Sequence, residues 1–485
     1  MASSVELALA TIFAVIVYVA CTAVHHIYFH PLKNYPGPML HKVTRLPYIF
    51  FLLRGTVHRH LQRLHERYGN VVRVQPNEVS FLQPAAWRDI YGNKSWEREP
   101  LFFGPEVVGK GGLIRGAGKE NHARVRKFFS PAFSDRAVRD QEPIFQKHAD
   151  RLVAIIRHMV ERGEAVPLSL LYLFSAVDIM ADMTLGEPLG HLANYEKNLA
   201  QASKFHITGK ATQRIRGWYP LLDKALNALF PDTARKRMRQ QFFLSRFDKR
   251  VAQGETDRLD MWTLLLKSKA PLIDYDKMVS TTASFLAAGT ETNAVALSGL
   301  SYLLLANPRA RAKLVHELRS AFASAGEITL SNVSKLKYLG ACVSEAMRVY
   351  PPFPPGTPRI VPSPGTIICG NHIPAGTVVS VATYSTHLSA KHFKLPTEFI
   401  PERWLGDARF KGDSRDTVKP FSTGPRDCIG KSVALYQIRL VIAKLLYSFD
   451  MDALAPESAG WMDDQRAFGF WATDTLYVHL KPRCD

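Results

Sequence analysis

The sequence predicts a single, mainly α-helical domain with a small β portion behind an N-terminal membrane anchor. Apolar residues recur at helical spacing from about residue 122 to 308, strand-like runs are short and few, and an uncharged apolar run occupies residues 7–24. The 485 residues are 46% hydrophobic, so the chain can bury a large core. We divide it into an anchor (1–30), a proline-containing hinge (31–45) and the domain (46–485).

The anchor prediction depends on the run LALATIFAVIVYVACTAV, which is long enough to cross a bilayer with little tilt. A cleaved signal peptide is the alternative, but no basic stretch precedes the run and bulky residues follow it where a cleavage site needs small ones. Lys33, Lys42 and Arg45 follow the run while Glu6 precedes it. The positive-inside tendency therefore places the rest of the chain in the cytoplasm.

Three stretches near the anchor have simple local interpretations. Pro31, Pro36 and Pro38 predict a stiff, extended connector. The apolar run Tyr48–Leu53 is too short to span a membrane but long enough to dip into the interface. The glycine-rich residues 109–120 lack the spacing of a phosphate-binding loop, so we expect a mobile loop there.

The β portion is predicted from two regions. Residues 71–74 (VVRV) and 79–82 (VSFL) flank the turn residues QPNE and predict a hairpin. Residues 366–382 are strand-like again. The rest of the sequence between the hairpin and the C-terminus favours helices and loops, and we find no internal repeat.

The formal net charge of +19 indicates an acidic partner, an anionic membrane surface or nucleic acid. The densest basic cluster, residues 235–250, mixes charge with apolar residues at helical spacing, which favours a solvated amphipathic helix. Because no nucleic-acid-binding motif accompanies the charge, we expect no nucleic-acid partner.

The cysteines have no paired spacing, which argues against a disulfide framework and a structural zinc site. They are Cys21, Cys342, Cys369, Cys428 and Cys484. The working compartment is therefore predicted to be reducing, and the glycosylation sequons at Asn93 and Asn332 are predicted to be unused.

One cysteine has an unusual setting, because the stretch FSTGPRDCIG precedes a helical pattern. A thiolate at a helix N-terminus is stabilised by the helix dipole, so we expect a lowered pKa for Cys428 and a capacity to ligate metal. Gly424 and Gly430 let the backbone lie against a flat cofactor, Phe421 shields the sulfur, and Arg426 can pair with a cofactor carboxylate. This set indicates haem held by an axial cysteine, with a buried structural cysteine as the alternative.

A long helix is predicted from about residue 274 to 306, roughly 50 Å in length. One face of it carries mostly small residues that open room for a cofactor, and these are Phe285, Ala288, Gly289, Thr292 and Ala296. Glu291 and Thr292 are costly in an apolar core and indicate a function. The alternative is a threonine bonded back to its own helix and a glutamate that reaches solvent.

The stretch FSTGPRDCIG resembles the haem-binding signature Phe-x-x-Gly-x-Arg-x-Cys-x-Gly of the cytochrome P-450 family at every fixed position. The resemblance covers essentially the whole chain and is closest to filamentous-fungal members of secondary metabolism, the group that includes isotrichodermin hydroxylases and benzoate para-hydroxylase. It implies the cytochrome P-450 fold and haem b with Cys428 as the metal ligand. FLAAGTETN is similar to the family motif in which Thr292 and Glu291 handle protons beside Gly289 of the haem pocket.

Further segments resemble the family in the same order. The resemblance implies that Glu345 and Arg348 of SEAMRVYPP join Arg403 of FIPERW in a buried structural cluster. It also implies haem propionate contacts, which it assigns to His122 and Arg126 of HARVRKFFSPAFS and to Arg359 of TPRIV. His122 stands where many relatives have tryptophan.

The resemblance implies that electrons come from NADPH through a separate diflavin reductase, with cytochrome b5 as a further candidate donor. Arg124, Lys127 and Lys431 would belong to the basic face that receives the reductase. It also implies an endoplasmic reticulum membrane location with the catalytic domain in the cytosol. No flavin or nicotinamide fingerprint occurs in the chain itself.

The implied activity is insertion of one oxygen atom from O2 into a hydrophobic terpenoid, polyketide or alkaloid. The substrate pocket expected from the family comprises Phe102, Phe285, Ala288, Phe353 and Phe468. Two alternatives stay open at this point. One is a thiolate-haem isomerase or dehydratase that needs no reductase, and the other is a haem-binding protein without enzymatic activity.

Overall fold

The computed structural model describes residues 4–92, 96–102, 108–116, 118–202, 209–229, 233–268, 271–472 and 474–483. The predicted sequon at Asn93 and the thiol of Cys484 lie outside these residues. The described part is mainly α-helical with a small β portion, which confirms the predicted fold class.

The α-helices, in chain order, are α1 (Ser4–Val24), α2 (Met39–Val43), α3 (Leu46–Leu53), α4 (Val57–Tyr68), α5 (Lys119–Phe129), α6 (Asp135–Asp140), α7 (Glu142–Glu161), α8 (Leu168–Leu185), α9 (Tyr195–Ala202), α10 (Gly209–Trp218), α11 (Pro220–Leu229), α12 (Thr233–Ala252), α13 (Met261–Lys267), α14 (Tyr275–Ala306), α15 (Pro308–Ala321), α16 (Leu330–Val333), α17 (Lys337–Val349), α18 (Thr383–His387) and α19 (Lys431–Ser448).

The strands are β1 (Val71–Gln75), β2 (Glu78–Phe81), β3 (Glu97–Arg98), β4 (Val166–Pro167), β5 (Arg359–Ile360), β6 (Gly365–Ile368), β7 (Asn371–Pro374), β8 (Val378–Val381), β9 (Phe449–Leu454), β10 (Arg466–Ala467), β11 (Trp471–Ala472) and β12 (Tyr477–Pro482). They form a sheet in the order β1-β2-β8-β5-β3, a sheet in the order β4-β12-β9, and the pairs β6-β7 and β10-β11.

Helix α14 is the central element of the core. It begins one residue after its predicted start because Asp274 is its N-cap, and it packs against α8, α17 and α19. At about 1.5 Å per residue, its 32 residues extend about 48 Å. Helix α8 is also apolar enough to span a membrane, but 83% of it is buried against the core. A helix that is hydrophobic on all sides is expected at such a position.

The main sheet brings distant parts of the chain together. The predicted hairpin is present as the antiparallel pair β1-β2, and β8 adds to β2 in parallel. Strand β5 then pairs with β8, and the two-residue strand β3 pairs with β5. In this last pair Arg98 lies directly opposite Arg359. A short edge strand therefore carries one arginine to the side of another that is 261 residues away in the sequence.

The N-terminal helix α1 has no buried face, as a membrane anchor requires, and the apolar segment Glu6–Phe29 continues into a π-helical turn at His25–Phe29. The connector after it differs from the predicted extended chain, because α2 lies within it. The fully buried guanidinium of Arg73 donates to the carbonyl groups of His26, Leu32 and Lys42. These hydrogen bonds attach the connector to β1, so proline stiffness is only one source of its order.

Two amphipathic predictions are refined by the structure. In α3, Tyr48 and Leu52 are buried in the core, while Phe50 keeps one face apolar and exposed. In α12, the Arg237 and Lys249 side chains are exposed, but Arg250 at the C-terminal end is buried and binds Asp260 with an Nε to Oδ2 distance of 2.6 Å. The glycine-rich loop packs on α14, where Leu113 donates its backbone N–H to the Thr281 hydroxyl.

Candidate functional site

The Cys428 loop is a tight turn that ends at the start of α19. The backbone N–H of Cys428 donates to the Phe421 carbonyl at 2.9 Å, which closes the loop, and Gly430 is the N-cap of α19. Gly424 has a φ of +80°. A Cβ at Gly424 would lie 1.9 Å from the Tyr91 carbonyl oxygen, so a side chain there would require the neighbouring backbone to move.

A cavity of about 260 Å³ lies between this loop and the middle of α14. We call it the thiol cavity, because the accessible surface of Cys428 faces it. Of the predicted site residues it is lined by Phe285, Ala288, Gly289, Thr292, His122, Arg126, Phe353, Phe421, Arg426, Cys428 and Gly430. The structure thus brings together segments predicted separately from the sequence.

Two predicted cofactor residues do not line the thiol cavity. A side chain at Gly424 would clash with the backbone of Tyr91, so close packing explains why a glycine is needed at this position. Arg359 lies behind the cavity wall, where Nη1 donates to the carbonyl groups of Thr357 and Pro358. It still acts on the cavity through its charge, which lowers the pKa of His122.

The thiol of Cys428 differs from the expectation of a lowered pKa. Burial raises its pKa, and the Gly430 backbone N–H together with the positive charges of Arg126 and Arg98 oppose this effect only in part. The helix terminus therefore does not by itself produce a thiolate here. A cation at the sulfur would do so, since a coordinating thiol is deprotonated outright.

Positive charge is concentrated along one side of the thiol cavity. Arg98, Arg126 and Arg426 line it, and His122 is 4% exposed with no hydrogen-bond partner at Nε2. Burial, followed by the charges of neighbouring arginines, lowers the pKa of His122 to about 3 and that of Arg98 to about 9. These groups destabilise each other's charged forms, so the site favours an anionic ligand.

These donors fit haem. A thiol faces the cavity from one side, the small residues Ala288 and Gly289 leave space on the opposite side, and the basic groups match two carboxylate substituents. His122 Nε2 is buried without a partner among the described residues and is available to a propionate of haem, whereas the Arg126 guanidinium already binds the Asp427 carboxylate. No cluster of three or more metal-binding side chains occurs among the described residues.

Arg98 lines the thiol cavity but was not predicted as a site residue from the sequence. It is held by the β3-β5 pairing, and its Nη1 donates to the carbonyl groups of Leu113 and Ile114 while Nη2 donates to the Arg426 carbonyl at 3.2 Å. It therefore connects the loop before α5 with the Cys428 loop. In the sequence, Arg98 lies in the stretch WEREP (96–100), where nothing distinguishes it from a surface arginine. A strand of two residues is too short to leave a periodic pattern.

On the α14 side, the Thr292 hydroxyl donates to the Ala288 carbonyl at 2.7 Å and lines the thiol cavity. The back-bonded alternative for Thr292 is thus present, and the same oxygen can still accept a hydrogen bond from the cavity. Glu291 lines a second cavity of about 150 Å³, which we call the outer cavity. The predicted pair therefore faces two adjoining spaces.

The outer cavity holds most of the predicted substrate pocket. It is lined by Phe102, Ala288, Phe353 and Phe468. Phe285 lines the thiol cavity instead, with its ring edge-on to Phe129 and Phe133 at ring-centroid distances of 5.1 and 4.8 Å. The walls shared by the two cavities are Ile114, Ala288, Phe353 and Phe470. A molecule in the outer cavity would thus reach α14 next to Thr292.

The Glu345, Arg348 and Arg403 side chains meet behind the site and are all fully buried. Glu345 accepts from Arg348 Nη2 at 2.7 Å and from Arg403 Nε at 2.9 Å, and the Trp404 indole N–H donates to it at 2.8 Å. The Arg403 guanidinium also binds Asp413. The cluster joins α17 to the turn at residues 401–404, and none of its members lines either cavity.

The family model described as Cytochrome P450 matches residues 37–476 of the chain. Among curated proteins, the chain is 38% identical over 479 residues to Cytochrome P450 monooxygenase AMT3 of Alternaria alternata, covering 96% of both chains. It is 38% identical over 490 residues to Cytochrome P450 monooxygenase efuB of Hormonema carpetanum, covering 97% and 95%. Averantin hydroxylase of Dothistroma septosporum is 36% identical over 486 residues, covering 97% and 90%.

Proposed function

The chain belongs to the cytochrome P450 family, and we propose that it is a membrane-anchored monooxygenase of fungal secondary metabolism that oxidises a hydrophobic small molecule with electrons from NADPH. The observation that carries the proposal is the thiol cavity, where Cys428 faces the Thr292 segment of α14 beside a basic rim. When bound, haem supplies activation of O2 and insertion of one oxygen atom into the substrate.

The residues around the cavity have separate roles in this proposal. Cys428 holds the iron, and Arg98, Arg126, Arg426 and His122 bind the propionates. Thr292 holds a proton donor in place on the distal side, since its hydroxyl is positioned by the Ala288 carbonyl. The apolar walls exclude bulk water from the reaction.

The electron donor we propose is a diflavin reductase that takes electrons from NADPH. Arg124 and Lys127 lie on α5, which contacts the Cys428 loop through the ion pair of Arg126 with Asp427, and Lys431 begins α19 directly after that loop. The Arg124 side chain is 61% exposed. A basic surface at this position suits an acidic flavoprotein domain. The same surface suits cytochrome b5 as a second donor.

The location we propose is the endoplasmic reticulum membrane, with the domain in the cytosol. The apolar helix α1 supports an anchor, and the exposed side chains Leu46, Phe50 and Leu53 on α3 add a second apolar contact beside it. A hydrophobic substrate dissolved in that membrane could then enter from the lipid side.

The substrate class we propose is an apolar terpenoid, polyketide or alkaloid skeleton, because Phe102, Phe353, Phe468 and Phe470 dominate the outer cavity. The test is reconstitution of the purified chain with a fungal diflavin reductase, NADPH and ¹⁸O₂ on extracts of a strain that lacks its gene. We expect one labelled oxygen atom in a product that requires both the reductase and NADPH. A product that forms without reductase and without label would instead indicate an isomerase or dehydratase.

A further inference from the structure

Arg214 on α10 is a buried cation that the roles above do not use. Its side chain is 6% exposed and lines the outer cavity together with Tyr48 and Phe102. The guanidinium stacks over the rings of Phe102 and Trp218, with centroid distances of 4.8 and 4.9 Å. An arginine held between aromatic rings on the wall of a cavity has a fixed position from which to bind a ligand.

Most of the hydrogen-bonding capacity of Arg214 is unused. Nη1 donates to the Tyr48 hydroxyl at 3.1 Å, and Nε is buried without a partner. A guanidinium carries five N–H donors, and a buried donor without an acceptor costs free energy. Among the described residues, no carboxylate oxygen lies within 4 Å of this guanidinium. The unused N–H donors are therefore available to an acceptor bound in the outer cavity.

Other deeply buried arginines of this chain show the contrast. Arg73, Arg250, Arg348 and Arg403 each donate at least four hydrogen bonds to described residues, so their charges are satisfied within the fold. Those four arginines line neither cavity. Arg214 thus differs from these four arginines, because the described residues leave most of its N–H donors without an acceptor.

The remaining charges near Arg214 leave room for an anion. Burial opposes the charge of Arg214, but Tyr48, Glu78 and Glu99 outweigh burial and raise its pKa, so the guanidinium stays charged. Burial raises the pKa of Glu78 itself to about 7, so the charge of Glu78 is only partial near neutral pH. Arg115 and one carboxylate, Glu291, also line the outer cavity. His58 on the same wall has a pKa lowered to about 3 by burial, so it is neutral and adds no charge.

We propose that Arg214 binds the carboxylate of the substrate, so that the enzyme acts on an apolar molecule bearing an ionised acid group. The guanidinium fork matches the two oxygens of a carboxylate, and the aromatic walls accept the apolar remainder. Arg214 lines the outer cavity and not the thiol cavity, whereas Ala288 and Phe353 line both. The acid group is therefore held away from Cys428, and oxygen is inserted toward the apolar end of the molecule.

This inference rests on the proposed function and is tested by ligand binding. The probes are dodecanoic acid and naphthalene-2-carboxylic acid, each paired with its methyl ester, titrated calorimetrically into the purified haem-loaded chain at a pH where the acids are ionised. We expect each acid to bind at least about tenfold more tightly than its ester, the effect of one charge-assisted hydrogen bond. Acids that bind no more tightly than their esters, or do not bind, overturn the inference.

Variants distinguish the effect of the Arg214 side chain on acid binding from the effect of the protein's net charge. Arg214→Met should weaken acid binding by about tenfold and leave ester binding within about twofold. Arg216→Met removes the same charge from the same helix at a residue that pairs with Asp223 and does not line the outer cavity, so it should keep the preference for acids. Tyr48→Phe, which removes the one hydrogen bond that Arg214 makes to the described residues, should also keep the preference for acids.

Retention of the acid preference in Arg214→Met contradicts the inference. If Arg214→Met does not fold, Arg214→Lys serves instead, because a lysine keeps the charge and loses the two-pronged geometry; an acid preference unchanged in it would likewise contradict the role of the guanidinium. The proposed function fails separately, by absence of a red-shifted carbon monoxide band in the reduced wild-type protein. An intact band without acid preference removes this inference alone.

Discussion

Thr292 and Cys428 face each other across one cavity; the environment of Thr292 is the alternative that the sequence left open, and that of Cys428 is contrary to the prediction. The Thr292 hydroxyl is bonded to its own helix, and the Cys428 thiol has its pKa raised by burial. Both facts are compatible with function, because the hydroxyl keeps an acceptor site and a bound metal cation would deprotonate the thiol. Side-chain chemistry here is decided by burial, which motif spacing does not specify.

Thr292→Ala removes the hydroxyl from the thiol cavity. Because proton delivery then depends on water alone, we expect product formed per NADPH to fall at least about tenfold, with the electrons recovered as hydrogen peroxide. The matched control is Thr290→Ala, which removes a similar back-bonded hydroxyl that lines neither cavity. Peroxide and product are measured in the same reaction. Coupling in Thr292→Ala equal to that in Thr290→Ala would rule out the proposed role.

Gly424→Ala tests the packing reason for the glycine in the Cys428 loop. The new Cβ would contact the Tyr91 carbonyl oxygen, and a φ of +80° is unfavourable for alanine, so we expect a lower unfolding midpoint and weaker haem retention. The control is Gly412→Ala, because a Cβ there meets no atom within 4 Å. Thermal unfolding with haem absorbance measures both quantities. Equal behaviour of the two variants would show that the loop tolerates a side chain.

At the scale of elements, α14 and the turn before α19 were predicted within a residue or two. The periodic pattern and the cap at Asp274 carry that information locally. The position of Arg98 was not predicted, because it depends on the pairing of β3 with β5 across most of the chain. Arg214 was missed for a similar reason, since the aromatic rings around it come from three separate segments. Long-range pairing, rather than local propensity, limits what a sequence predicts here.

The cluster of Glu345, Arg348 and Arg403 joins two elements through buried charges. Glu345→Ala would leave two guanidinium groups buried without their carboxylate, so we expect a loss of about 3–5 kcal/mol in the free energy of unfolding. Glu398→Ala, at an exposed glutamate whose carbonyl oxygen accepts from Arg348, should change it by less than about 0.5 kcal/mol. Denaturant titration followed by tryptophan fluorescence measures the two values. A small effect in Glu345→Ala would mean that the arginines are satisfied by other acceptors.

At the scale of the whole molecule, the candidate anchor α1 is followed by a connector that Arg73 binds to β1. The sequence indicated the anchor, because apolar length alone is sufficient evidence for a candidate span. It did not indicate the fastening, which depends on backbone carbonyl groups that carry no residue-specific signal. The candidate anchor is therefore followed by a connector with a defined attachment to β1.

Deletion of residues 1–24 tests whether α1 is needed for membrane binding but not for folding and haem binding. Because α1 contributes no buried side chains, we expect the shortened chain to fold, bind haem and pass largely to the soluble fraction, with some protein still membrane-bound through the apolar face of α3. Adding Leu46→Ser, Phe50→Ser and Leu53→Ser should release the remainder. Carbonate extraction followed by immunoblotting measures the distribution. A shortened chain that stays entirely with membranes would place the anchor elsewhere.

The central claim is that the Cys428 thiolate binds haem iron in the thiol cavity. The most direct measurement is the absorbance spectrum of the reduced, haem-loaded protein with carbon monoxide. The account predicts a red-shifted band for the wild-type chain and for Cys369→Ala, whose thiol lines neither cavity, and no such band for Cys428→Ala. A red-shifted band that persists in Cys428→Ala would contradict the account.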